Sequence, residues 1–177
     1  MDNNSRKHSG WFLIVLEYYS MIDKSTAVSV HIIPMMISIT SLFMLLAYDM
    51  PTSSLNVFSN LIPTIDSILI GFTVMLITIL LTSDSKYVNN IKNIKSKSKV
   101  FDKDISLFQN MHIQFCYLLI TEVLLLIISI LYILLQEIVC SKVFTSAFWI
   151  LACYFTFSVL FGIIRGISNL HFAFFRV

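Results

Sequence analysis

Four stretches of the chain, 27–48, 61–82, 113–136 and 143–166, are apolar almost without interruption. Each is long enough for a helix to cross a hydrocarbon layer about 30 Å thick, which takes about 20 residues. Charge enters them only at Asp66, Glu122 and Arg165. Pro34, in the first stretch, removes a backbone N–H, and a neighbouring helix can satisfy the carbonyl this frees, so a kink is expected rather than a break. Pro63 falls in the opening turn of the second, where proline is well tolerated. Ahead of these lies segment 1–26, whose apolar run from Trp11 to Leu16 is too short to span. Glu17, Asp23 and Lys24 follow it in place of a small-residue cleavage site, so it does not read as a secretion signal. Phe12, Val15, Tyr19 and Ile22 recur at helical spacing beside Trp11 and Tyr18, which predicts an amphipathic helix lying in the headgroup layer.

Between the second and third stretches, the polar segment 83–112 also carries apolar residues at intervals of three or four. Tyr87, Val88, Ile91 and Ile94 form one series, and Phe101, Ile105, Phe108 and His112 another. This pattern predicts that spans 2 and 3 continue past the membrane as an antiparallel helical hairpin turning around Lys95 to Lys99. The expected fold is an all-α integral membrane protein: a four-transmembrane-helix bundle at 27–177, an interfacial helix within 1–26, and the hairpin at 83–112.

Composition narrows the picture. The chain is 57% hydrophobic and only 12% charged, against about a quarter charged in soluble domains. Only a few tens of residues are left for water, which excludes an appended catalytic domain. Four Gly and three Pro are too few for the turns of a many-stranded barrel. Of the 12 Lys and Arg residues, half lie at Lys86, Lys92, Lys95, Lys97, Lys99 and Lys103, and the connection 49–60 has none. Arg6, Lys7 and Lys24 precede the first span, and Arg165 and Arg176 close the chain. The positive-inside rule then puts both termini and the hairpin on the cytoplasmic side. Its lysines suit the anionic inner leaflet, at about 1 kcal/mol each. A solvated tether would not need the apolar members of the segment, so Lys92, Lys95, Phe101, Ile105 and Phe108 read as a docking surface for a cytoplasmic partner. No arginine or motif in the segment supports direct nucleic-acid binding.

An ionisable side chain at membrane depth costs a few kcal/mol, about 2.5–3.5 on insertion scales, and needs a partner, a proton or water. Asp66 sits about one turn inside its boundary and can be solvated there. Glu122 is deeper, about 13 Å from the cytoplasmic end at 1.5 Å per residue. Arg165 can snorkel, or pair with Glu122 within or between subunits. Ser158, Gly162 and Gly166 leave one face of span 4 nearly bare, as close helix packing or self-association requires. Ser67 and Gly71 form a shorter patch on span 2, its expected counterpart. Cys116, Cys140 and Cys153 are too scattered for a redox pair or zinc site. His31, His112 and His171 fall at one level, either by chance or as a pH-sensitive ring. With no phosphate loop, dinucleotide fingerprint or hydrolase motif, neither enzyme activity nor a cofactor or metal is expected.

Four spans, a basic cytoplasmic hairpin and no catalytic residues make the chain similar, over its whole length in size and topology, to the membrane subunit family of the bacterial Kiwa antiphage system, KwaA. That resemblance implies a homo-oligomer such as a tetramer that senses an event at the inner membrane and recruits a cytoplasmic DNA-binding effector such as KwaB. It carries over no residue role. The alternative is a pore or channel that depolarises the membrane, with Asp66 or Glu122 facing an oligomeric lumen. Small multidrug-type transporters also have four spans, but their essential carboxylate is in the first, where this chain has none.

Overall fold

The computed structural model describes residues 10–47, 52–83, 86–136, 138–139 and 141–175, with side chains at 52–56, 87 and 173–175 outside that set. The expectations at Arg6, Lys7, Cys140 and Arg176, and for the Tyr87 side chain, lie outside the described residues. Helix α1 (Gly10–Met21) is followed by α2 (Lys24–Ala27), a π-helical turn (Val28–Ile32) and α3 (Ile33–Ala47), the last three forming one rod. α4 (Thr52–Thr82), α6 (Leu107–Leu135) and α7 (Lys142–Phe175) are the other long helices. The spans are Lys24–Ala47, Val57–Thr82, Leu107–Leu135 and Lys142–Phe172, and the chain is an all-α, four-helix, multi-pass membrane protein.

Local chemistry explains where these rods begin and bend. Asp23 caps α2, its carboxylate accepting from the Thr26 N–H at 3.0 Å and from the Thr26 hydroxyl. Pro34 has no N–H to offer the Val30 carbonyl four residues earlier, and its ring crowds that oxygen. The chain widens into the π-helical turn just ahead of it, and the Ser158 hydroxyl of α7 donates to the Val30 oxygen at 2.8 Å. The freed carbonyl is thus satisfied by a neighbour and the helix continues.

The spans pack in the order 2, 3, 4, 1, with spans 1 and 2 at the edges of the row. Spans 3 and 4 form its centre, with 33% of their most apolar windows buried against 17% in span 2 and 22% in span 1. Phe43, Ile68 and Leu134 point outward, which lipid permits and water would penalise. Close approach of α7 to α6 rests on Gly162, set against Leu118, and Gly166, where a Cβ would lie 2.6 Å from the Phe115 ring. The small-residue stripe of span 4 is therefore used inside the chain, against spans 1 and 3. Ser67 and Gly71 face away from the bundle: Ser67 donates to its own Pro63 carbonyl, and nothing lies within 4 Å of a Cβ at Gly71. They are not the intramolecular counterpart of that stripe.

The segment between spans 2 and 3 differs from the helical hairpin expected of it. A short helix, α5 (Lys86–Asn93), leads into strands β1 (Lys95–Val100) and β2 (Lys103–Ser106), which pair antiparallel. Lys95 to Val100 alternates lysine with serine or valine, a period of two rather than 3.6. Phe101 and Asp102 take φ of 46° and 65° and close a two-residue turn. Ser106 then ends the strand and starts α6 through a capping box: its hydroxyl accepts from the Gln109 N–H at 3.2 Å, and the Gln109 amide oxygen accepts from the Ser106 N–H at 2.9 Å.

Helix α1 is also rotated from its expected face. Tyr18 and Met21 are buried in a cluster with Val100, Ile105 and Tyr117, and Ile14, Val15 and Ile22 pack on it. Phe12 and Tyr19 are exposed. Of the two surfaces open to such a helix, lipid or the bundle, α1 packs on the protein, against Val100 and Ile105 of the hairpin and Tyr117 of span 3.

Candidate functional site

The hairpin has two unlike faces. Val100 and Ile105 point inward, and burying each contributes about 1.5–3 kcal/mol against leaving it in water. Ile105 is therefore a fastening residue and not part of an open docking surface. Phe108 is likewise half-buried, packed on the cluster of Leu80, Ile91, Met111 and Phe115, with the Lys92 ammonium 5.4 Å over its ring. The outward face keeps Lys95 and Lys99, which share Asp104 at 3.4 and 3.5 Å. These lysines, Lys95 first, hold the Asp104 carboxyl below the usual carboxylate range. Lys97 and Lys103 are exposed and make no ion pair among the described residues. Phe101, 57% exposed at the tip, holds a left-handed conformation that bulky residues rarely adopt. Of the expected docking set, Lys92, Lys95 and Phe101 remain accessible.

Behind the hairpin lies a cavity of about 470 Å³, walled by α1, β1, α6 and α7. A chain of side-chain amides runs beside it: Asn169 donates to Gln114 at 3.2 Å, Gln114 to Asn110 at 2.7 Å, and Asn110 to the Ser96 hydroxyl at 2.6 Å. Span 4 is thereby tied through span 3 to the first strand. Ser96 also accepts from the Ser98 N–H at 3.1 Å, which braces the irregular stretch where β1 slips its register. Arg165 lines the same cavity, donating to Ser29 at 3.3 Å and Asp23 at 3.4 Å. It does not pair with Glu122: by the α6–α7 packing, Arg165 stands beside Phe115, two turns away along α6. The Thr26 hydroxyl, aided by Arg165, holds the Asp23 carboxyl below the usual range. Sequence reasoning missed this group because its amides lie on two different helices and its serine on a strand, so no single period links them. The S-x-x-Q pattern at Ser106 to Gln109 was readable and would have placed a helix start there.

Inside the bundle, Thr73 donates to Glu122 Oε1 at 2.7 Å, while Glu122 Oε2 and both Asp66 oxygens have no partner among the described residues. On antiparallel neighbours the same seven-residue step from that bond leads to Asp66 on α4 and Ser129 on α6, both buried and both partnerless. Asp66 and Glu122 are 1% and 0% exposed on the α4–α6 contact face. Neither reaches the outer surface, so the expectation that one faces a lumen between copies does not hold. Asp66 is not solvated near its boundary either.

The histidines do not form a ring. His31, on the π-helical turn, has Nδ1 3.0 Å from the Tyr154 hydroxyl and stacks on Tyr19. His112 stacks on Phe108 beside Cys116, and His171 lies against Phe172. Among the described residues no group of His, Cys, Asp and Glu could hold a metal ion. Comparisons with protein-family models, curated proteins and solved structures gave no match.

Proposed function

We propose that the protein is a non-enzymatic sensor or scaffold of the bacterial inner membrane, of the Kiwa antiphage kind, that homo-oligomerises and docks a cytoplasmic DNA-binding effector on its basic hairpin. The observation that supports this reading is the hairpin's attachment. Its inner face is fastened through Val100 and Ile105 to α1, which leads into span 1, and to Tyr117 of span 3, and its strand to span 4 through the amide chain. A shift among the spans therefore moves the outward surface of Lys97, Lys103 and Phe101. Such a device needs two bundle arrangements a few kcal/mol apart, biased by the membrane event. The strained turn that keeps Phe101 exposed fits a residue retained for contact rather than stability. The open row of spans supports self-association, in which the edge of span 2, with Ser67 and Gly71, would meet the span 1 edge of the next copy head to tail, a contact that gives a ring where the rotation closes.

The test is co-purification of the full-length protein with the product of a co-transcribed gene, comparing wild type with Phe101→Asp and Lys97→Glu. Both positions are exposed, so the variants keep the fold. Capture lost in both is expected; capture undiminished in both would end the docking assignment.

A pore that depolarises the membrane is the second reading, with its path inside the bundle rather than between copies, favoured by the partnerless buried oxygens of Asp66, Ser129 and Glu122. Liposome ion flux compared with Glu122→Gln and Asp66→Asn decides it, and the absence of flux from wild type removes it.

A further inference from the structure

We propose that the cavity at the hairpin end of the bundle binds a phosphate ester, carried either by a phospholipid of the surrounding membrane or by a soluble nucleotide. Its volume of about 470 Å³ is that of a small-molecule site. Its wall divides into two kinds of surface. Arg165, Lys95, Lys97 and Asn169 supply cations and N–H donors, whereas Tyr18, Ile22, Met111 and Phe172 supply an apolar side. Arg165 is paired with Asp23, which also caps α2, and Lys95 with Asp104, so Lys97 is the wall's cation without an ion pair among the described residues.

Arg165 is held in place. Its two terminal nitrogens reach Ser29 and Asp23 at 3.3 and 3.4 Å, which engages two of the five donors of a guanidinium and fixes its plane. A planar, always-charged fork with donors to spare suits a tetrahedral oxyanion better than any other side chain. The amide chain adds to this. Asn169, Gln114 and Asn110 each direct one N–H to the next member, and each amide nitrogen carries a second. Donors thus converge from α6, α7 and β1 on a space whose other side accepts an acyl chain or a base. A bare anion would not need that apolar side, and an apolar ligand would leave the spare N–H donors of Arg165 and the amides, and the Lys97 ammonium, unused.

The proposal does not depend on effector docking: Lys95 and Lys97 border both surfaces, but Arg165 and the amide chain belong to the cavity alone. The experiment uses full-length protein in phosphatidylcholine nanodiscs, with the thermal unfolding midpoint followed on titration with inorganic phosphate or adenosine monophosphate, or with phosphatidylglycerol built into the disc. A rise in midpoint is expected with at least one probe. Arg165→Gln should weaken the apparent affinity roughly tenfold or more, about 1.4 kcal/mol. Lys97→Gln, at an exposed position that folding does not use, should weaken it several-fold. Protection by the soluble probes assigns a soluble ester; protection by phosphatidylglycerol alone assigns the lipid. The proposal is overturned if no probe protects wild type, or if both variants respond as wild type does, which would mark general surface electrostatics.

Discussion

Ser158 offers the sharpest test of how the bundle is held together, because its hydroxyl serves a carbonyl that a proline has orphaned. The bond to the Val30 oxygen is 2.8 Å long and Ser158 is 2% exposed. Hydrogen bonds between membrane helices average about 0.6 kcal/mol and reach about 1.7. A buried carbonyl left without a donor costs about 1–3 kcal/mol. Ser158→Ala should therefore cost about 1–2 kcal/mol, toward the upper end of that range because Pro34 offers Val30 no N–H. Replacing Pro34 with alanine restores a backbone donor four residues after Val30. In that background the same Ser158→Ala change should cost only a few tenths of a kcal/mol, so the two substitutions are coupled by about 1 kcal/mol. Reversible unfolding of the four proteins in mixed micelles of maltoside and dodecyl sulfate measures the cycle. Equal costs for Ser158→Ala in both backgrounds would refute the assignment of Ser158 to the proline-freed carbonyl.

Gly166→Ala should destabilise the protein by about 1–3 kcal/mol relative to Gly71→Ala, since a Cβ at 166 meets the buried Phe115 ring and one at 71 meets nothing. The same micelle titration reads this difference, and equal effects would sink it. Thr73→Val leaves Glu122 without its hydrogen-bond donor and should cost about 1–3 kcal/mol. Thr78→Val, whose hydroxyl serves only its own helix, is the near-neutral reference. Ile105→Ala should loosen the hairpin by about 2–5 kcal/mol, seen as faster amide exchange across 95–106 with spans 3 and 4 still protected. Lowering pH should release α2 from Arg165. The Asp23 carboxyl is depressed in the fold, so its contribution is complete above the ordinary carboxylate value near 3.8 and fades as pH falls through the lower folded value. Asp23→Asn should abolish that pH response in exchange at α2.

The spans were legible because length and apolarity alone decide them, and the need for a neighbouring donor at the carbonyl freed by Pro34 followed from one missing N–H. The hairpin was misread because Phe101, Ile105 and Phe108 happen to lie at helical intervals, while the strand signal in Lys95 to Val100 is carried by lysine and serine, neither a strong strand former. The rotation of α1 depended on Tyr117, which no local pattern connects to Tyr18. Glu122 was recognisable as needing a partner, yet its choice of Thr73 over Arg165 follows from the register of α4 on α6, and register between helices leaves no mark in either sequence. The cavity was beyond reach for a similar reason, since its walls come from four separated segments.

The seat of α1 has a consequence for how the protein is made. Tyr19 and Tyr117 are 98 residues apart in the chain. When α1 leaves the ribosome, the helix and hairpin that will cover Tyr18 and Met21 do not yet exist. Its apolar side must wait at the membrane surface until the third span has been inserted, and the hairpin cannot seat before then. Docking of α1 is thus a late event of biogenesis, and it reports that the second and third spans have entered the bilayer in the correct sense.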